Sequence, residues 1–170
     1  MSSDNEFYPL HVFRFQVTFE TDPLTNIGAG SAVNICTGAF SECTGLEATM
    51  EPKVIKEGGQ NYGAAQRAGP VTFATVILRR GMTTTRHLWR WFDLVTSSGG
   101  YAYRLAAIIT MQDMKGNPVV CWKLTKAMPV KFKAADLNAK GTEIGIEELH
   151  LAHEGLSLVP IPQAASTASA

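Results

Sequence analysis

The stretch EIGIEELHLAHEGLSL, residues 143–158, carries His150 and His153 with Glu154 beside them and Glu147-Glu148 just before. On a helix, residues three apart share a face, and the two histidines would form part of a metal site. On a strand they point to opposite faces and share nothing. Ile146, Leu149, His153 and Leu156 do recur at helical spacing. Against the helix stand Gly145 inside the run, the alternation of Ile144 with Ile146, and that of Leu149 with Leu151 one residue out of step. The strand is the stronger reading. It predicts a β-bulge at Glu147-Glu148 that swaps the apolar face, and it puts the acidic pair at a surface or a subunit contact.

The rest of the chain supports a β-rich fold. In HVFRFQVTFE, residues 11–20, Phe13, Phe15, Val17 and Phe19 alternate with Val12, Arg14, Gln16 and Thr18, the pattern of a half-buried strand. Residues 21–38 have turn residues at both ends and read as a loop or short irregular hairpin. Residues 39–59 are β-prone in two pieces, with Gly45 marking a bulge and Pro52 an edge or break. Residues 58–70, GGQNYGAAQRAGP, hold four glycines and no apolar period, which reads as a flexible loop that orders on contact. VTFATVILRRG, from residue 71, is a further strand.

TTTRHLWRWFDLVTSSGG is the one helix. A threonine among Thr83, Thr84 and Thr85 is expected at the N-cap, Leu88, Trp91, Phe92 and Val95 on the buried face, and Gly99-Gly100 at the stop. YRLAAIITMQD and VVCWKLTKAMPVKFKA form a hairpin around MKGNP, the second arm bent at Pro129. The tail PIPQAASTASA is small and polar and is expected to be disordered. The sum is about seven or eight strands and one helix, an all-β fold of two antiparallel sheets, sandwich or barrel, with one flanking helix. A single domain is expected over residues 1–159, and a tail over 160–170.

Composition narrows the function. The 170 residues carry 15 Lys+Arg and 15 Asp+Glu, a formal net charge of zero. That balance lacks the basic excess of a duplex binder and suits a subunit packing against copies of itself. Cys36, Cys43 and Cys121 form no CxxC pair, which argues against a disulfide framework or thiolate zinc site. The first ten residues have neither a basic nor an apolar region, so synthesis in the cytoplasm is expected, with export by lysis or within an assembly.

Candidate chemistry fails piece by piece. Arg79, Arg80, Arg86, Arg90 and Arg104 lie near Trp89 and Trp91, a mixture that binds single strands in some proteins. Yet Arg86 and Arg90 are one helical turn apart, as on the solvated edge of an amphipathic helix. Ser31 and Ser41 lack a nucleophile-elbow context, GAGSA lacks the lysine of a phosphate loop, and Cys43 has no histidine partner legible in sequence. No catalytic, cofactor or metal residue is assigned.

Three segments together resemble the tube proteins of contractile tails. FSECTGLEATMEPKVIKEGG (residues 40–59) is similar to their strand ending in a Ser-Gly-Leu-type turn that runs into an extended hairpin; here the turn reads Cys43-Thr44-Gly45-Leu46, so the serine is replaced. ILRRGMTTTRHLWRWF (77–92) is similar to their strand, Gly-led turn and Leu-Trp-x-Trp helix. KLTKAMPVKFKAADLNAKGTEIGIEELHLAHEGLSLV (123–159) resembles their C-terminal block. The resemblance spans residues 13–159 and implies an inner tube subunit of a contractile phage tail or injection system. It implies hexameric rings whose inner strands join into one continuous β-barrel around a lumen carrying DNA or effector proteins. It also implies stacking of those rings inside a sheath, between baseplate or spike and terminator proteins.

Residues 48–69 then contact the neighbouring ring, with Glu51, Lys53, Lys56, Glu57, Gln60 and Arg67 as inter-ring contacts and Glu147, Glu148 and His150 as inter-subunit contacts. Two other readings compete: an all-β ligand- or peptide-binding module with no assembly role, and a small metal-dependent hydrolase built on His150 and His153.

Overall fold

The first strand keeps the alternation of its sequence. In β1 (Phe15–Thr21), Val17 and Phe19 are buried while Gln16 is exposed. The computed structural model describes residues 10–12, 14–22, 40–56, 58–59, 62–97 and 103–161. The loop of residues 23–39, the Gly99-Gly100 helix stop, and residues 162–170 of the tail lie outside the described residues, as do Glu57 and Gln60.

After β1 come β2 (Glu42–Thr44), β3 (Ala48–Met50), β4 (Lys53–Ile55), β5 (Ala65–Arg67), β6 (Val71–Phe73) and β7 (Val76–Gly81). The helix α1 (His87–Ser97) is followed by β8 (Leu105–Gln112), β9 (Pro118–Lys133), β10 (Ile146–Ala152) and β11 (Gly155–Val159). All pairings are antiparallel. The main sheet runs β1-β8-β9-β10-β7-β2, with β11 also on β9; β3-β6 and β4-β5 form separate pairs. The strands outnumber the sequence expectation because short paired pieces replace what reads as longer runs.

β9 joins the two halves of the molecule. Its 16 residues pair first with β8 and β11 and then, from Met128 onward, with β10. The strand turns at Lys126, whose φ is +49 and which is the one described non-glycine in the left-handed region. Asp22 accepts a 2.8 Å hydrogen bond from the Lys126 amide, and Arg104 Nη1 donates to its carbonyl at 3.3 Å. The bend is therefore three residues earlier than Pro129. Pro129 itself is buried opposite Leu151, where the β9–β10 register slips, a place that tolerates a missing backbone donor.

Three further expectations are corrected. β10 has no bulge at Glu147-Glu148: Ile146↔Gly81, Glu147↔Arg80, Glu148↔Arg79 and Leu149↔Leu78 follow without interruption. Glu147 keeps the inward phase of Leu149 and Leu151, so the apolar face never swaps; a carboxylate occupies one of its places. The helix starts at His87, and the Arg86 carbonyl accepts from the Arg90 amide at 3.0 Å, so no threonine sits at the N-cap. Thr83 and Thr85 bond each other instead, at 2.9 Å. The strand expected from residue 71 is broken at Ala74-Thr75, where Gly45 (φ +87) approaches so closely that a Cβ would strike the Thr75 carbonyl.

Both halves of the sheet and α1 close on one core, with Val17, Phe19, Leu78, Leu88, Trp91, Leu105, Ile109, Leu124, Leu149 and Leu151 buried in it. Trp91 meets Phe19 edge to face at 5.4 Å. Trp89, on the outer side of the helix, meets Phe132 of β9 at 5.4 Å. Among the described residues no helix is long and apolar enough to cross a membrane.

Candidate assembly surfaces

Residues 48–73 leave the body as a two-part hairpin arm. Its base pairs Ala48 with Phe73 and Met50 with Val71; its outer part pairs Lys53 with Arg67 and Ile55 with Ala65. Between the parts, two residues on one side (51–52) oppose three on the other (68–70), with a proline on each side. Gly69 sits there because its backbone lies against the Glu51 carbonyl, leaving no room for a Cβ.

The arm leaves much of its apolar surface open. Met50, Val54, Ile55 and Val71 are each about half exposed, and Tyr62 near the tip is 95% exposed. An isolated two-stranded hairpin is marginal in water, so the arm depends on its attachment to the body. Its root is fixed: Phe73 stacks on His153 at 5.3 Å, and His153 Nδ1 lies 3.0 Å from the Gly155 carbonyl. Of the residues expected to contact a neighbour here, Glu51, Lys53, Lys56 and Arg67 are all exposed on the arm. Lys53 faces Arg67 directly across the pair, and among the described residues no carboxylate forms an ion pair with either. Like charges so placed repel; an acidic partner would relieve them.

The second surface is the outer face of β2, β7, β10 and the end of β9. At one register level these strands present Glu42, Arg79, Glu148 and Lys133 in order. Arg79 bonds Glu42 at 2.8 Å and Glu148 at 3.1 Å. Burial works against the charge of Glu148, yet the nearby Arg79, His150 and Lys133 outweigh it and hold the carboxyl below its usual range. His150 Nε2 lies 3.5 Å from Glu148. His150 thus belongs to a sheet-face charge cluster and His153 to the root of the arm. Among the described residues no group of three ligand-type side chains converges on a metal position.

The arginines near the tryptophans do not act together. Arg79 lies on the outer face and Arg104 bonds Glu154 at 3.4 Å. Arg80 points inward, 4% exposed, bonded to Glu147, which is 6% exposed, beside the Phe40 ring. Glu147 is therefore not a surface contact. Sequence reasoning misses this pair because its members lie 67 positions apart; carrying the Leu149–Leu151 alternation back to Glu147 is the signal that finds it. Burial pushes the Cys43 thiol up to about 11, far from a nucleophile's range.

Comparison with known proteins gives one consistent answer. The chain matches the family described as T4-like virus tail tube protein gp19 over residues 11–157. No curated protein sequence matches it. Among solved structures, a chain of the anti-feeding prophage baseplate is 26% identical, with a TM-score of 0.72 over 95% of this chain and 99% of that one. A chain of the sheath–tube complex of PVC, an extracellular contractile injection system, shares the fold at 16% identity and a TM-score of 0.71, covering 94% and 99%. A chain of the anti-feeding prophage tube terminating cap does so at 16% and 0.72, covering 93% and 95%.

Proposed function

Because the chain belongs to the T4-like virus gp19 tail tube family, we propose that it is the inner tube subunit of a contractile tail or contractile injection particle. Its role is structural. Copies join side by side into six-membered rings, and the rings stack around a lumen that conducts DNA or effector proteins. The baseplate whose chain this one resembles is six-fold symmetrised, which supports that ring size. Sheath, baseplate or spike, and terminator proteins are the neighbours this role requires. Assembly takes place in the cytoplasm, with release as part of the particle, and no catalytic step belongs to the subunit.

The observation that carries the reading is the arm. A hairpin with apolar side chains exposed on both faces and a repelling Lys53–Arg67 pair has no use in a monomer. Seated on the next ring, it buries that surface, and a contact between unlike surfaces propagates along an axis without limit. Glu51, Lys53, Lys56 and Arg67 make the inter-ring contacts, with Glu57 and Gln60 beside them in sequence. Glu148 and His150 contact the neighbour within the ring.

Negative-stain microscopy and sedimentation of the purified chain test this. Rings or tubes are expected; a chain that stays monomeric at high concentration excludes the role and leaves an all-β binding module. Deleting residues 59–69 should leave folded subunits that form rings but do not stack. Tubes of normal length from that variant would remove the arm from the inter-ring contact.

A further inference from the structure

Four charged side chains from four separate places in the chain meet at the bend of β9. Asp22 follows β1, Arg104 precedes β8, Lys126 is the bend itself, and Glu154 lies between β10 and β11. The Lys126 amide donates to Asp22 at 2.8 Å. Arg104 Nη1 donates to the Lys126 carbonyl at 3.3 Å and to Glu154 at 3.4 Å, and Lys126 Nζ reaches the same carboxylate at 3.4 Å. Backbone bonds tie the same joints. The Asp22 amide donates to the Arg104 carbonyl at 3.2 Å, and the Glu154 amide to the Thr125 carbonyl at 3.0 Å. A lysine with φ +49 is unfavourable by itself and persists only where its surroundings over-determine it. Here those surroundings are charges, two of them on the partly open side chains of Lys126 and Glu154.

The arm is rooted one residue away from this knot. The ring of Phe73, in β6, lies 5.3 Å from that of His153, whose Nδ1 lies 3.0 Å from the Gly155 carbonyl. Gly155 in turn sits so close to Thr125 that a Cβ would strike the threonine hydroxyl. Residues 153–155 are therefore gripped by the arm on one side and by the corner of β9 on the other. Neighbouring segments held by shared contacts open together. We infer that the arm's root and the corner form one cooperative unit, joined through residues 153–155. Holding the arm tightens the bend of β9, and loosening the bend frees the arm. The coupling belongs to the single chain; it rests on the tube-subunit reading only for what holds the arm, a seat on the next ring. In a stack, each seated arm then stiffens the corner of its own subunit, at no cost in new contacts there.

Deuterium exchange of the unassembled chain, read by mass spectrometry over residues 72–76 and 124–128, tests the coupling. The first window holds the Ala74 amide, which donates to the Glu47 carbonyl at 3.1 Å, and the second holds the Lys126 amide. Phe73→Ala removes the ring beside His153 and should speed exchange in both windows by roughly five-fold or more. From the other end, Glu154→Gln keeps the shape of the side chain, removes its charge from Arg104 and Lys126, and should do the same. Phe73 and Glu154 both lie outside the buried core, so neither variant depends on repacking it. Exchange that changes only in the window nearest each substitution would overturn the coupling. In assembled tubes of the wild type, residues 124–128 should exchange more slowly than in the unassembled chain, by a similar factor; equal rates would overturn the tightening. A chain that forms no tubes yet shows the reciprocal effect would sink the tube reading and leave the coupling standing.

Discussion

The β7–β10 pair and the arm are both antiparallel ladders, yet they finish folding at different stages. In β7 and β10, alternate residues reach the core: Val76, Leu78 and Arg80 on one, Glu147, Leu149 and Leu151 on the other. Even the inward charges are settled, Arg80 with Glu147. In β3, β4, β5 and β6 no residue is buried, and the one directly opposed charged pair repels. The difference teaches that this chain completes its body alone and leaves the arm exposed, a surface that the proposed tube role would bury on assembly. Substitutions in the body should therefore act on the monomer, and those in the arm on the polymer.

The largest effect belongs to the body. Trp91→Ala removes a fully buried ring from between α1 and β1 and should cost about 3–5 kcal/mol in urea unfolding. A loss under about 1 kcal/mol would mean that the helix is not part of the core. Next comes the junction between body and arm. Gly45→Ala meets both a left-handed backbone and the Thr75 carbonyl, and should cost about 1–3 kcal/mol while also misdirecting the arm. Thermal melting and the stacking yield should fall together; a change in melting alone would separate the junction from assembly.

A smaller effect should follow pH. The folded pKa of Glu148 lies below its unfolded value. Its contribution is therefore present above the ordinary carboxylate value of about 4.3 and is lost as pH falls through the folded value. Melting temperatures of wild type and Glu148→Gln should differ near neutrality and converge under acid; parallel curves would show that the row of charges contributes nothing to the monomer. The smallest effect on the monomer is predicted for the arm. Val54→Ser should leave unfolding within about 0.5 kcal/mol while shortening tubes, and a strongly destabilised monomer would break the comparison.

The same division governs what is legible in sequence. β1, the apolar face of α1 and the hairpin turn before β9 are read correctly because each folds against the body and carries the matching period. The phase of β10 is misread at Glu147, because a charge in an apolar place is intelligible only beside Arg80, which pairing brings in from far along the chain. The bend at Lys126 is silent for a similar reason: a lysine gives no sign of positive φ, and Asp22 and Arg104 impose it. The arm reads as a loop over residues 58–70, although residues 65–67 form a strand, because a hairpin exposed on both faces has no alternation to show. Resemblance finds the arm where periodicity does not.

The long strand β9 has a mechanical consequence. Residues 121–124 are flanked by β8 on one side and β11 on the other, and the same backbone continues beyond Lys126 into the β10 ladder. Tension applied lengthwise to such a strand must shear several hydrogen bonds at once on both flanks, whereas the arm, held by single pairs, peels open one bond at a time. Under a lengthwise load β9 would hold the subunit together as a keel does, and the arm would be its first part to yield.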